Sequence, residues 1–368
     1  MPSLSVLIKP ASSLCNLSCK YCFYSDITKK REIKSFGIMS IENLEIIVKK
    51  SFDYADQACC FAFQGGEPTI AGINFFESLM KFERKYNINK IPVYNSIQTN
   101  GVALEEKWAI FFRENNFLLG LSLDGTKDIN DFYRIKEDGK GTFSEIFNTI
   151  SFFNKYKVNY NILTVISKTV AKNITEIYNF YKENNFYYQQ HIPCLDPLYE
   201  KRGIYEYSLT PKIYEKFLKN IFDLWYNDIA NGIFIYNRYF ENLIGILKGC
   251  TPEICNMLGK CTCQNVIEAD GGVYPCDFYV LDEYRIGNIL EEDFKNIAKS
   301  RKISDFTETS LRIEEKCRIC RWFRLCRGGC RRDRDFGSSE ISQNYYCSAY
   351  KNFFEYSYDR LSSLAKKF

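Results

Sequence analysis

Cys15-Asn16-Leu17-Ser18-Cys19-Lys20-Tyr21-Cys22 places three thiols within a single short loop. A closed tetrahedral metal site needs four ligands, so three thiolates leave one coordination position open, and an open position on a metal is where chemistry takes place. Two blander readings compete: a structural zinc that borrows a distant fourth ligand, or buried cysteines with no metal. Zinc pairs more often read Cys-x2-Cys twice.

Outward from this loop, short β-branched and aromatic runs at Leu4–Lys9, Cys59–Phe63, Val93–Gln98, Phe117–Leu123, Val158–Ile166 and Tyr188–Ile192 alternate with helical patterns. That is a β/α repeat. In the first long connecting helix, Ser40 is the expected N-cap, and Ile41, Leu44, Val48, Phe52 and Ala55 share one face. Right-handed crossovers make the sheet parallel, so the expected fold is α/β, a partial barrel of six β/α units. Cys15, Gly65, Asn100, Asp124 and Pro193 follow the first, second, third, fourth and sixth strands, where barrels carry their active-site loops.

After Leu195-Asp196-Pro197 the pattern changes. Residues 211–232 and 236–248 read as helices, the stretch from Cys250 to Cys347 is cysteine-rich with a hairpin signal at Asp270-Gly271-Gly272, and roughly Tyr345 to Lys367 reads as a last helix. The expected domains are a barrel over 1–200, a helical connection over 201–249, a cysteine-rich module over 250–347 and a C-terminal helix over 348–368.

A chain of 368 residues with 46% hydrophobic content can fill a sizeable core. Its sixteen cysteines come without a signal peptide or a span of the ~20 apolar residues a membrane crossing needs, so the expectation is a reduced, cytoplasmic, metal-binding protein and a monomer. The formal charge of +4 counts thiols as neutral. Thiolates bound to metal would lower it, and Lys29-Lys30-Arg31 and Arg331-Arg332 read as solvated loop charges, so nucleic-acid binding gains no support.

Gln64-Gly65-Gly66-Glu67-Pro68 is by itself a weak signal, and a tight turn is its ordinary reading. On the second strand of a chain whose first strand leads into the cysteine triad, it resembles the radical S-adenosylmethionine (radical SAM) enzymes. The resemblance implies that Cys15, Cys19 and Cys22 hold a four-iron four-sulfur cluster whose fourth iron binds S-adenosylmethionine. It also implies that Tyr21, Gly65, Gly66, Glu67, Ser122, Arg134 and Leu195 line the cofactor pocket. Cys261-x9-Gly271-x4-Cys276, Cys317-x2-Cys320-x5-Cys326-x3-Cys330 and Cys347 resemble the SPASM module of auxiliary clusters. With Cys255 this gives eight ligands. By the resemblance, Cys255, Cys261, Cys276 and Cys330 hold the nearer cluster, and Cys317, Cys320, Cys326 and Cys347 the farther one. A zinc ribbon remains open for Cys317–Cys330 alone. Cys59, Cys60, Cys194, Cys250 and Cys263 read as core or spare thiols, although Cys250 or Cys263 could replace an assigned ligand.

Lys9-Pro10-Ala11-Ser12-Ser13, Cys22-Phe23-Tyr24, Phe63–Thr69, Gln98-Thr99-Asn100-Gly101, Cys194–Tyr199 and Tyr274–Tyr279 narrow the resemblance to the anaerobic sulfatase-maturating enzymes, which oxidise a cysteine or serine of a sulfatase polypeptide to Cα-formylglycine. In the implied reaction a 5′-deoxyadenosyl radical takes a hydrogen from the substrate Cβ. Asp277 removes the thiol or hydroxyl proton, and the second electron leaves through the auxiliary clusters. Tyr24 and Gln64 are candidates to position the substrate, and His191, the single histidine, is a candidate lining residue. A flavodoxin or ferredoxin would be the electron donor. The alternatives are a SPASM-type maturase that crosslinks or epimerises a ribosomal peptide and, from a different class, a non-catalytic iron-sulfur or zinc protein. Whether cysteine, serine or both are accepted stays open.

Overall fold

The computed structural model describes residues 3–336 and 342–367, so the outermost limits of the expected domains, residues 1 and 368, lie outside the described residues. Strands occur in chain order at Leu4–Ile8 (β1), Cys59–Phe63 (β2), Val93–Thr99 (β3), Leu118–Ser122 (β4), Asn159–Ile166 (β5), Tyr188–Pro193 (β6), Tyr236–Asn237 (β7), Val266–Ile267 (β8), Gly272–Tyr274 (β9) and Gly287–Asn288 (β10). The chain divides into two compact units.

The first unit comprises Met1–Ser122, Arg134–Tyr160 and Cys263–Asp305. Its β1, β2, β3 and β4 lie side by side and parallel, joined by the helices Ile41–Tyr54, Ile73–Tyr86 and Glu106–Glu114, as the β/α pattern requires. Ser40 caps the first of these helices, its hydroxyl accepting from Asn43 N at 3.1 Å. The face it buries is Leu44, Ile47, Val48, Ser51 and Phe52. Ile41, expected on that face, is 37% exposed: it begins the helix, and Ile47 takes the inward position. The core is largely aromatic, with Phe76 edge-on to Phe63 at 5.1 Å and to Trp108 at 5.6 Å. Such pairs add modestly to the area they bury.

On its other edge β1 pairs in parallel with β8, Leu7 opposite Val266 and Ile8 opposite Ile267. The chain then turns at Asp270-Gly271-Gly272 into antiparallel β9 and β10. A segment from the cysteine-rich region thus extends the sheet beside the triad loop. Strands of two or three residues are too short to show a period in sequence, and only the turn signal marked them.

The second unit comprises Leu123–Tyr133, Asn161–Thr262 and Phe306–Phe368. In it β5 pairs in parallel with β6, and β6 with β7. Helices Pro211–Ala230, Arg238–Leu247 and Cys347–Lys367 meet around Phe222, Trp225, Phe240 and Phe353, with ring centroids 5.0–6.0 Å apart. Among the described residues no helix is long and apolar enough to cross a membrane.

Candidate active site

The triad loop leaves β1 through Lys9 and is fastened by the Gly-Gly loop that leaves β2. Gln64 N donates to Ile8 O at 3.1 Å, Gly66 N to Ser12 O at 2.8 Å, and Glu67 N to Leu14 O at 2.8 Å. Two backbones this close exclude side chains between them. A Cβ on Gly66 would lie 1.9 Å from Leu14 O, and one on Gly65, whose φ is +138°, would lie 3.0 Å from Ser12 O and 3.2 Å from Lys9 Cβ. Glu67 is buried, and its carboxylate accepts from Thr69 Oγ1 at 2.7 Å, Thr99 Oγ1 at 2.8 Å and Asn100 N at 2.7 Å. Burial raises its pKa while these donors pull it down. Asn100 in turn reaches the triad loop, its amide donating to Asn16 Oδ1 at 2.7 Å and lying 3.8 Å from Cys15 Sγ.

None of the sixteen cysteines is joined in a disulfide. Cys15 and Cys19 are half-buried and Cys22 is exposed; burial pushes the Cys15 thiol up to about 11. Cys22 also begins the helix Phe23–Lys29, accepting from Ser25 N. Tyr21 and Arg134 are both buried, the guanidinium donating to the phenol oxygen at 3.2 Å. Ser122 ends β4 half-buried. Three accessible thiols on a loop that a second loop holds in place suit a cluster with one open iron.

Asp277 follows Cys276 after β9 and sits in the first unit with the triad. Its carboxylate is mostly buried, accepting from Gln64 Nε2 at 2.8 Å through Oδ2, while Lys9 Nζ lies 2.5 Å from Oδ1 at an angle outside that of a regular hydrogen bond. Its backbone N donates to Gln264 Oε1 at 3.0 Å. Gln64, expected to position substrate, bonds to Asp277. Tyr24, expected in the same role, is 2% exposed; its hydroxyl donates to Glu268 and its ring underlies Lys9.

The second unit gathers the other thiols in two groups. Cys317, Cys320, Cys326 and Cys347 line one cavity with Trp322, Phe323 and Tyr350, where burial pushes Cys326 up to about 12. Cys255, Cys261 and Cys330 lie close enough for their charges to act on one another, and burial raises all three. Cys276, assigned to the same cluster, belongs to the first unit. Among the described residues no three His, Cys, Asp or Glu side chains close on one metal-ion position. Leu195 follows β6 half-buried. His191, on β6, packs its ring 5.8 Å from Phe217 and faces Asn237 Nδ2 at 3.4 Å; burial lowers its pKa to about 3, so the ring is neutral. Cys59 and Cys194 are buried core thiols, whereas Cys250 is exposed beyond the helix Arg238–Leu247. Lys9 and Glu268 joined the site unannounced, and Arg31, expected to be a solvated loop charge, is buried against Glu268; Arg331 and Arg332, expected to be solvated likewise, are also buried. The one signal for Lys9 was its place at the head of the Lys9–Ser13 motif.

Residues 10–181 match the radical SAM superfamily, and residues 255–321 match an iron-sulfur cluster-binding domain. Over 367 residues the chain is 51% identical to the cysteine-type anaerobic sulfatase-maturating enzyme of Clostridium novyi (strain NT), with 100% of this chain and 98% of that one covered. It is 29% identical over 371 residues to the serine-type anaerobic sulfatase-maturating enzyme of Bacteroides thetaiotaomicron, covering 96% of this chain and 89% of that one. The solved structure of native anSMEcpe with bound AdoMet and Cp18Cys peptide has a TM-score of 0.96 and 50% identity to this chain, covering 100% of this chain and 99% of that one.

Proposed function

Since the chain belongs to the anaerobic sulfatase-maturating enzymes of the radical SAM superfamily, we propose that it oxidises a cysteine in a sulfatase polypeptide to Cα-formylglycine, with Asp277 as the base. Cysteine is favoured over serine by the 51% identity to a cysteine-type enzyme against 29% to a serine-type one. When bound, the triad cluster and S-adenosylmethionine supply one-electron removal of a hydrogen from the substrate Cβ, and auxiliary clusters take the second electron.

One observation carries this reading. The Asp277 carboxylate is held by Gln64, the residue just before the glycines whose loop clasps the triad loop. Radical chemistry and proton removal are thereby assigned to neighbouring loops. Gln64 and Lys9 each engage one carboxylate oxygen, and a carboxylate offers about four lone-pair sites, so it keeps capacity to accept the substrate proton. Tyr21, Gly65, Gly66, Glu67, Ser122, Arg134 and Leu195 would shape the cofactor pocket, with Glu67 acting by fixing Asn100 and the loop. Eleven cysteines support three four-iron clusters: Cys15, Cys19 and Cys22; Cys255, Cys261, Cys276 and Cys330; Cys317, Cys320, Cys326 and Cys347. We assign reduction to a flavodoxin- or ferredoxin-type donor. The substrate would be an extended segment, because the reacting Cβ must enter a loop-lined site that a folded active-site loop could not reach.

Asp277→Asn keeps size and removes the base. With a Cys-x-Pro-x-Arg peptide, formylglycine read by mass spectrometry should fall by roughly a hundredfold to ten-thousandfold, while 5′-deoxyadenosine continues to form and iron content is unchanged. Formylglycine at the normal rate with intact clusters would remove Asp277 from the role.

A further inference from the structure

Behind Asp277 lies a buried row of alternating charge that the reaction as described leaves unused. The Lys9 side chain is fully buried, its ammonium 2.5 Å from Asp277 Oδ1 and 3.8 Å from the centroid of Tyr24. Tyr24 donates its hydroxyl to Glu268. Arg31, also fully buried in its side chain, pairs with Glu268 at 2.6 Å and stands 5.8 Å from the Tyr24 ring. Two cations and two carboxylates balance, which is what makes this degree of burial tolerable. The path of the Lys9 stem is itself built. It passes 3.2 Å from where a Gly65 Cβ would be, and Lys9 N donates to Ile267 O at 2.8 Å, next to Glu268.

A carboxylate free to turn about its χ2 angle presents its lone pairs in many directions. This one has an ammonium at one oxygen and an amide at the other. We propose that Lys9 is a positioning residue for the reaction: with Tyr24, Glu268 and Arg31 fixing the ammonium, it clamps the Asp277 carboxylate plane against Gln64 so that the remaining lone pairs point where the substrate proton is given up. This rests on Asp277 acting as the base, and the fully buried Lys9 acts through that carboxylate.

A double-mutant cycle on the intact, reconstituted protein tests it with Lys9→Met, Asp277→Asn and the pair together, read as formylglycine per 5′-deoxyadenosine. Misaiming a reacting group by about 1 Å costs on the order of a hundredfold, so Lys9→Met should lower this ratio by about tenfold to a hundredfold with peptide KM within about threefold. In the Asp277→Asn background it should lower the ratio no further, because coupled residues do not add. Without activity, the same cycle is read by thermal unfolding: Lys9→Met strands a buried carboxylate and lowers the midpoint, and adding Asp277→Asn recovers part of it. If Lys9→Met fails to retain iron, Lys9→Gln takes its place. A wild-type ratio in the Lys9 variant, or an equal loss in both backgrounds, overturns the clamp while leaving Asp277 as base. A normal ratio in Asp277→Asn alone overturns the base and the clamp with it.

Discussion

Gly66→Ala adds one methyl group at the tightest backbone approach in the site. The new Cβ would lie 1.9 Å from Leu14 O, 2.6 Å from Leu14 C and 2.9 Å from Ser13 C, against an ordinary contact of 3.4 Å or more. All three are main-chain atoms, so no side chain can swing away. Relief requires roughly 1.5 Å of separation between the two loops, and overpacking of this kind typically costs ~1–3 kcal/mol. The movement also stretches Gly66 N to Ser12 O and Glu67 N to Leu14 O, now 2.8 Å each, and each lost bond adds about 0.5–1.5 kcal/mol. Leu14 precedes Cys15, so the shift passes straight to the triad. A displacement beyond 1 Å at a reacting centre costs on the order of a hundredfold or more. The assay is 5′-deoxyadenosine formation by reduced protein, alongside iron content and the electron paramagnetic resonance change on adding S-adenosylmethionine. Cleavage should drop at least about a hundredfold, or the triad iron should be lost, with auxiliary iron retained. Gly245→Ala, whose Cβ meets only Cys250 Cβ at 3.7 Å, is the matched control. Gly66→Ala with full iron and cleavage within about threefold of the parent would refute the clasp.

Replacing Cys15, Cys19 and Cys22 together by Ala should abolish cleavage of S-adenosylmethionine and reduce about twelve irons per chain to about eight; retained cleavage would put the radical site elsewhere. Modification should favour short or unfolded sulfatase segments, and inert peptides beside an efficiently modified folded sulfatase would contradict this. Burial raises the Glu83 carboxyl to about 7, with Asn95 Nδ2 bonded to it at 2.9 Å. A carboxyl raised on folding loses stability as pH climbs from its unfolded value near 4.5 through 7, so Glu83→Gln should stabilise the protein above pH 7 by up to about 3 kcal/mol and do little at pH 4, as read by denaturant unfolding.

The periodic parts of this chain were legible in its sequence. The first six strands fall within a residue of where alternation put them, Ser40 caps the helix expected of it, and the late helices begin at Pro211, Arg238 and Cys347. The resemblance supplied the triad and the SPASM pattern because both are local spacings. Long-range partnership stayed hidden. Gln64 and Asp277 are 213 positions apart and Tyr24 and Glu268 are 244 apart, and nothing in either segment names the other. Tyr24 and Gln64 were candidates to position substrate because they flank the cysteines and glycines, and what their place in the sequence did not announce is that their polar atoms bond to Glu268 and Asp277. Lys9 looked like the end of a strand, since a single lysine after an apolar run reads as a solvated flank.

The pairing of β1 with β8 also bears on the order in which the protein is made. Asn265 reaches back to Ser5 O across 260 positions, so the first strand leaves the ribosome long before its outer partner exists. Until Val266 and Ile267 arrive, the backbone of Leu7 and Ile8 is an open hydrophobic edge, a template for pairing with other chains. The same interval separates the radical-forming loop from the carboxylate assigned to tame its product. A nascent chain that ends before Asp277 therefore carries the triad loop without the carboxylate we propose as its base, and the two meet only when the β8–β9 segment has been made.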